Sequence, residues 1–273
     1  MPVNVYTTLD DPLATVTTSA LGINGTGQIV GVYTNASGTH GFLYSGGTYT
    51  TLDDPLATAG TYAFGINGSG QIAGYYVNGT GEHGFLYNGV TYTTLDHPLA
   101  TSATRALGIN TSGQIVGYYS NASGAHGFLG TNGVYATLDD PSATQGTYAS
   151  GINAAGQIVG YYQNASGHHG FFESGGSYTT LDDPLATDTI AVGINDMGQI
   201  VGYYADSIGI HGFLYSGGTY TTLDDPLASP NSYAFGINAA GQIVGFYQNG
   251  SGTHGFLEST VPNPRRPPAP PQI

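Results

Sequence analysis

The sequence predicts an all-β fold, a six-bladed β-propeller with four antiparallel strands per blade, and three observations carry that prediction. The first is repetition. Gly-Ile-Asn begins at Gly22, Gly65, Gly108, Gly151, Gly193 and Gly236, and His-Gly-Phe begins at His40, His83, His126, His169, His211 and His254. A third motif, Tyr-x-Thr-Leu-Asp-(Asp/His)-Pro, begins at Tyr6, Tyr49, Tyr92, Tyr135, Tyr178 and Tyr220. Each series advances by 43 residues, apart from one advance of 42 in the loop Ala186–Ala191. The second observation is that each repeat holds four short apolar runs, the content of a propeller blade. The third is that the ends are complementary. The chain opens on a fourth strand, Val5–Asp10, and its last repeat stops before its own fourth strand. A ring closed by the N-terminal strand completing the last blade leaves no blade short. An open solenoid would call for specialised capping repeats, and none is visible.

The second repeat shows why each run is a strand. Tyr62–Asn67, Gln71–Asn78, His83–Tyr87 and Tyr92–Asp96 are rich in Tyr, Phe, Ile, Val and Thr, and Gly, Asn or Ser clusters bound them. Asn67-Gly68-Ser69-Gly70 and Tyr87-Asn88-Gly89-Val90 are compact enough for hairpin turns. No stretch has the 3.6-residue period of a helix. Paired apolar residues such as Ile29-Val30 and Ile115-Val116 suit blades covered on both faces by their neighbours. The ring is expected over residues 1–260. Residues 261–273, with six Pro, Arg265 and Arg266, form a Pro-rich C-terminal tail of polyproline type.

Composition removes whole classes of function. There are 17 acidic residues against three Arg and no Lys, for a net charge of −14. Such a chain cannot neutralise phosphates, so no nucleic-acid partner is expected. No Cys is present, which excludes disulfides, thiolate metal sites and thiol nucleophiles. No apolar run is long enough to span a membrane, so no membrane insertion is expected, and no signal peptide is visible at Met1-Pro2-Val3-Asn4. The 40 % hydrophobic content argues against disorder.

The pattern Gly-Ile-Asn-x-x-Gly-Gln-Ile-Val-Gly-x-Tyr followed by His-Gly-Phe-Leu-Tyr resembles the bacterial extracellular repeats of the HAF family, over about residues 5–258. The middle residue here is Gly rather than the Ala of that family's His-Ala-Phe motif. The resemblance implies an extracellular or cell-surface location and assigns no chemistry.

Candidate sites follow from the hairpin register. Folding His40–Asp53 about its turn sets Tyr44 opposite Tyr49, Phe42 opposite Thr51 and His40 opposite Asp53. The same register pairs His83 with Asp96, His126 with Asp139, His169 with Asp182, and His211 with Asp224, while ring closure pairs His254 with Asp10. A tie that recurs in every blade reads as structural, since a catalytic centre needs one constellation, and no catalytic residue is assigned. The second acid of each loop, Asp11, Asp54, Asp140, Asp183 or Asp225, precedes Pro and is expected in the loop, pointing away from the strand pair. These acids are candidate ligand-binding residues. Their ordinary reading is turn geometry. Another is a Ca²⁺ site, although the dense Asp spacing of a calcium loop is absent, and no cofactor is required. His97 replaces the second Asp in the third repeat and Arg105 follows, so these two join the candidate ligand set as departures from the repeat. Ser142, Gly130 and Phe172-Glu173 read as drift. In the doublets Tyr75-Tyr76, Tyr118-Tyr119, Tyr161-Tyr162 and Tyr203-Tyr204, one ring packs and the other can reach the surface; inter-blade packing is the main reading of these residues and ligand contact the lesser one. The Asn-x-Ser/Thr sequences at Asn35, Asn78, Asn121 and Asn164 read as turns rather than glycosylation sites.

The expected function is a secreted or surface-exposed, monomeric binding module. Its partner would be a glycan or other cell-surface polymer, held by many near-identical blade loops. The alternative is a non-catalytic structural or adhesion scaffold. A hydrolase or lyase acting on a polysaccharide ranks third, because near-identical blades do not supply different residues for different roles.

Overall fold

A computed structural model describes residues 3–261. Among these, no helix occurs, and twenty-four strands fall into six antiparallel units of four. The second unit is typical: Gly60–Ile66, Ile72–Asn78, Gly81–Tyr87 and Tyr92–Leu95 pair in that order. The sixth unit draws on both ends of the chain. Ser232–Ile237, Ile243–Asn249 and Gly252–Val261 are completed by Val3–Leu9, which runs antiparallel with Val3 opposite Val261 and Leu9 opposite Gly255. Val261, expected to open the tail, therefore belongs to a strand. The rest of the expected tail lies outside the described residues.

The first strand of each unit touches the first strands of the units before and after it, and Ser232–Ile237 of the sixth unit touches Thr17–Ile23 of the first. First strands are thus innermost and fourth strands outermost. The architecture is β-propeller-like, and its axis is lined by the six first strands.

Two packing devices explain the repeated motifs. Phe42, Phe85, Phe128, Phe171, Phe213 and Phe256 are fully buried, each contributing on the order of 2–3 kcal/mol of apolar burial. Each ring lies over a glycine of the second strand. A Cβ on Gly31 would collide with the Ser19 carbonyl and the Phe42 ring, and Gly117 stands in the same relation to Arg105 and Phe128. The Gly of Ile-Val-Gly and the Phe of His-Gly-Phe are two halves of one contact. The second tyrosine of each doublet joins this core and bonds a fourth-strand threonine, as in Tyr119 Oη to Thr137 Oγ1 at 3.1 Å.

The other device joins units. In every first strand the register slips by one residue, between Ala63 and Gly65 in the second unit, so that Phe64 is an added residue. Such a bulge re-aims a side chain. Just beyond it, a Cβ on Gly65 would lie 2.8 Å from the Leu107 carbonyl oxygen of the next unit. The Asn of Gly-Ile-Asn then reaches across. Asn24 Nδ2 donates to the Asn67 carbonyl at 3.1 Å, Asn67 to Asn110, Asn110 to Asn153, Asn153 to Asn195, Asn195 to Asn238, and Asn238 back to Asn24.

Candidate functional site

The histidine–aspartate hydrogen bonds occur in all six units. His40 Nδ1 lies 2.9 Å from Asp53 Oδ1, and the corresponding distances are 3.0 Å for His83–Asp96 and 2.9 Å for His126–Asp139. They are 2.9 Å for His169–Asp182, 2.8 Å for His211–Asp224 and 2.8 Å for His254–Asp10. The other ring nitrogen has a partner that the sequence reading missed. Ser37 Oγ lies 2.9 Å from His40 Nε2, and Ser123, Ser166, Ser251 and Thr80 repeat the contact. Ser, His and Asp in a chain have the outline of a catalytic triad. Here, however, the Ser37 hydroxyl is also tied to Asn35 Oδ1 at 2.6 Å inside its own turn, and the arrangement recurs in five units, as a structural tie does and a single catalytic centre does not. The signal was in the sequence: the spacing Asn-x-Ser/Thr-Gly-x-His is a turn capped by Asn and tied to His. The fifth unit lacks the hydroxyl. There Asp206 stands 3.5 Å from His211 Nε2; burial pulls the His211 pKa down, but Asp224 and Asp206 together hold it above the ordinary histidine value.

The second acids lie elsewhere than expected. Asp11, Asp54, Asp140, Asp183 and Asp225 are buried, at 3–6 % exposure, and do not face solvent. Each accepts the backbone N–H two residues on, as Asp11 Oδ1 does from Leu13 at 2.8 Å. Each also donates its own backbone N–H to a buried hydroxyl, Thr18 in the first unit. The proline breaks strand pairing as foreseen, but the carboxylate turns inward to close the turn. The leucine after it is exposed instead: Leu13, Leu56, Leu99, Leu185 and Leu227 are all more than half exposed. Burial raises the pKa of Asp11, Asp54 and Asp225. These acids are therefore turn-forming groups, not surface ligands. Among the described residues no three His, Cys, Asp or Glu side chains converge.

His97 does the same work with a different atom. Its Nδ1 accepts the Leu99 N–H at 3.2 Å, and its ring stacks on Tyr119 at 3.7 Å. Burial lowers its pKa, which suits a nitrogen that must accept. Arg105 is not in the loop with it. It lies in the first strand Ala103–Ile109, and its guanidinium forms a fork to Glu82, with Nε and Nη2 each 2.6 Å from a carboxylate oxygen. The two departures from the repeat go to separate places.

Arg105 leads to the feature that sequence reasoning did not find. The six first strands enclose an axial cavity of about 490 Å³. Every unit lines this region with the Gly-Ile of its Gly-Ile-Asn motif, and further side chains come from the bulge, the first strand and the second strand. The residue two before the bulge lines it as Ser19, Tyr62, Arg105 and Ile190, with Tyr148 and Tyr233 at that position in the other two units, and the bulged residue is Leu21, Phe64, Leu107, Ser150, Val192 or Phe235. From the second strand come Val32, Tyr75, Tyr118, Tyr161, Tyr203 and Phe246. Core positions barely change between units, with Phe in all six third strands; at the cavity the Gly-Ile pair is invariant and the second-strand residue is Tyr in four units, while the bulge and the first-strand residue two before it vary more. The first tyrosine of each doublet thus lines the cavity. Tyr62 stacks on Tyr75 at 4.5 Å and Tyr148 on Tyr161 at 4.5 Å, while Tyr233 stacks on Phe246 at 4.4 Å. The Arg105 guanidinium lies 4.5 Å from the Tyr75 ring centre and 5.5 Å from that of Tyr118. Burial raises the pKa of Tyr118 to about 12 and of Tyr203 to about 12, so these phenols stay protonated and can donate.

No protein-family profile and no curated protein matches the chain. Among the described residues no helix is long and apolar enough to cross a membrane. Solved structures are similar in fold. TolB from Acinetobacter baumannii aligns with a TM-score of 0.58 at 13 % identity, over 85 % of this chain and 63 % of its own. A catalytically inactive virginiamycin B lyase from Staphylococcus aureus, solved with quinupristin, aligns at 0.56 and 13 % identity, over 93 % and 99 %. A gluconolactonase from Xanthomonas campestris aligns at 0.55 and 11 % identity, over 91 % and 88 %. At these identities the likeness is one of fold, and that fold is β-propeller-like.

Proposed function

We propose that the six units are blades of a closed six-bladed propeller, and that the chain is a binding module holding its ligand in the axial cavity. Closure is supported by the strand pairing of the two chain ends and by the Asn238-to-Asn24 hydrogen bond. Binding at the axis rests on one observation: the cavity is walled by the rings of Tyr75, Tyr118, Tyr161 and Tyr203 and holds Arg105, a residue found in no other copy at that position. A single site on a repeated frame requires such a one-off residue. The cavity volume falls within the range of about 300–1,000 Å³ usual for small-ligand sites. Stacked aromatic walls beside hydroxyls suit a glycan, whose rings offer C–H faces and hydroxyl edges. Loop-borne multivalency loses support because the loop acids are committed to their turns. Secretion or surface display rests on the HAF resemblance, and cell fractionation would test it.

A thermal-shift screen against oligosaccharides, followed by titration, tests the binding reading. Tyr161→Ala is expected to weaken binding by about tenfold or more, as removal of a central aromatic contact does. Asp53→Asn, in an exposed loop, should leave affinity unchanged. A scaffold would show no ligand-dependent rise in melting temperature with any compound. Loss of binding on Asp53→Asn, with Tyr161→Ala silent, would return the site to the loops.

A further inference from the structure

We propose that the axial cavity receives the end of an uncharged oligosaccharide, and that the Arg105–Glu82 pair sets this preference for neutral sugars. The inference rests on the binding reading above and names its ligand.

Hydrogen-bonding capacity is the first argument. The core tyrosines commit their hydroxyls to the protein: Tyr33, Tyr119 and Tyr204 each bond a threonine. The cavity tyrosines do not. Among the described residues the hydroxyls of Tyr75, Tyr118, Tyr161 and Tyr203 bond no other protein group, and neither do those of Ser19 and Ser150. A hydroxyl both donates and accepts, which matches the vicinal hydroxyls of a sugar. The ring faces between them match its C–H faces.

Charge is the second argument. Arg105 stays ionised, but Glu82 occupies its Nε and one Nη2 hydrogen, so the pair carries no net charge. A carboxylate, sulfate or phosphate on the ligand would meet no uncompensated cation, on a chain whose net charge is −14. A cationic ligand is disfavoured too. Two of the aromatic faces that could hold it, those of Tyr75 and Tyr118, already border the guanidinium. The uncommitted Nη1 hydrogens remain to donate to a neutral acceptor.

Shape is the third. Past the bulges, the first strands meet backbone to backbone. A Cβ on Gly65 would lie 3.1 Å from the Gly108 Cα, and one on Gly151 would lie 3.2 Å from the Gly193 Cα. On a closed ring of six, the radius equals the spacing between neighbours, so strands in contact leave a throat too narrow for a sugar ring. The ligand then enters from the wide end and presents a chain terminus.

Titration of the full chain with cellotriose, chitotriose, maltotriose and trigalacturonate, read by calorimetry, tests this. The wild type should bind at least one neutral trisaccharide, with trigalacturonate weaker by about tenfold or more. Glu82→Gln releases the Arg105 charge and should strengthen trigalacturonate binding by about tenfold, shrinking that preference. Arg105→Lys, which cannot keep the fork, should narrow the preference in the same direction; circular dichroism confirms that both variants fold. Wild-type preference for trigalacturonate, or an unchanged ratio in a folded Glu82→Gln, overturns the neutral-sugar inference and leaves the binding module standing. If maltotriose binds, β-cyclodextrin, which has no chain end, should not, and equal affinity for the two overturns end-on entry. Failure of all these sugars to bind, while non-saccharide ligands shift the melting temperature through Tyr161, overturns the sugar inference alone. Failure of every compound overturns both.

Discussion

Asn110 shows how one residue type holds the units together. Its Oδ1 accepts the N–H groups of Ser112 and Gln114, and its Nδ2 donates to Gln114 Oε1 and to the Asn153 carbonyl of the next unit. No polar atom of the side chain is left over, and the residue is buried at 4 % exposure. Asn110→Ala strands two backbone N–H groups and one carbonyl, so it should cost about 2–4 kcal/mol, read as a lower urea midpoint. A change within 0.5 kcal/mol would show that the Asn cycle is incidental. The second Asp of each loop teaches the complementary lesson. Its charge marks it as a surface group by composition, yet a carboxylate beside a proline can also close its own turn, and here it does so while the leucine stays outside. Sequence fixes neither orientation, because both leave the proline in place. The His–Asp ties were legible since the two-residue alternation of a hairpin determines which side chains stand opposite.

At the scale of the strand, the hairpins and their register were readable from apolar alternation and Gly-rich turns, and Tyr44–Tyr49 and Phe42–Thr51 pair as expected. The axial site was not readable. Ser19, Tyr62 and Arg105 differ visibly between repeats, but only the bulge and the inward placement of the first strand bring those positions together. The sixth unit adds a titratable element. Glu258 stands opposite Tyr6, where three other units have Tyr, and it is 2 % exposed. Burial raises its pKa from 4.5 to about 7. A native state with the higher pKa binds more protons than the unfolded chain between pH 4.5 and about 7, so this group's contribution to stability falls as pH rises through that window. Above it, the penalty is on the order of 3 kcal/mol. Glu258→Gln should therefore raise the urea midpoint at pH 8 and leave it nearly unchanged at pH 4.5. Equal effects at both pH values would show that Glu258 is not buried as a neutral acid.

For the whole molecule, repetition and asymmetry have different places. The unit cores, the His–Asp ties and the Asn cycle repeat in all six units and build the frame. At the axis some positions differ between units, and Arg105, tied to Glu82 of a third strand, lines it once. A repeated frame with one irregular centre makes a quantitative demand that neither a multivalent lectin nor an inert scaffold shares: one ligand per chain. Calorimetric titration of the full chain with whichever neutral trisaccharide gives the largest thermal shift measures that number directly. A single class of sites with a stoichiometry near one, abolished by Tyr161→Ala, is the result predicted. A stoichiometry near six, insensitive to that substitution, would contradict the axial site and place recognition on the blades.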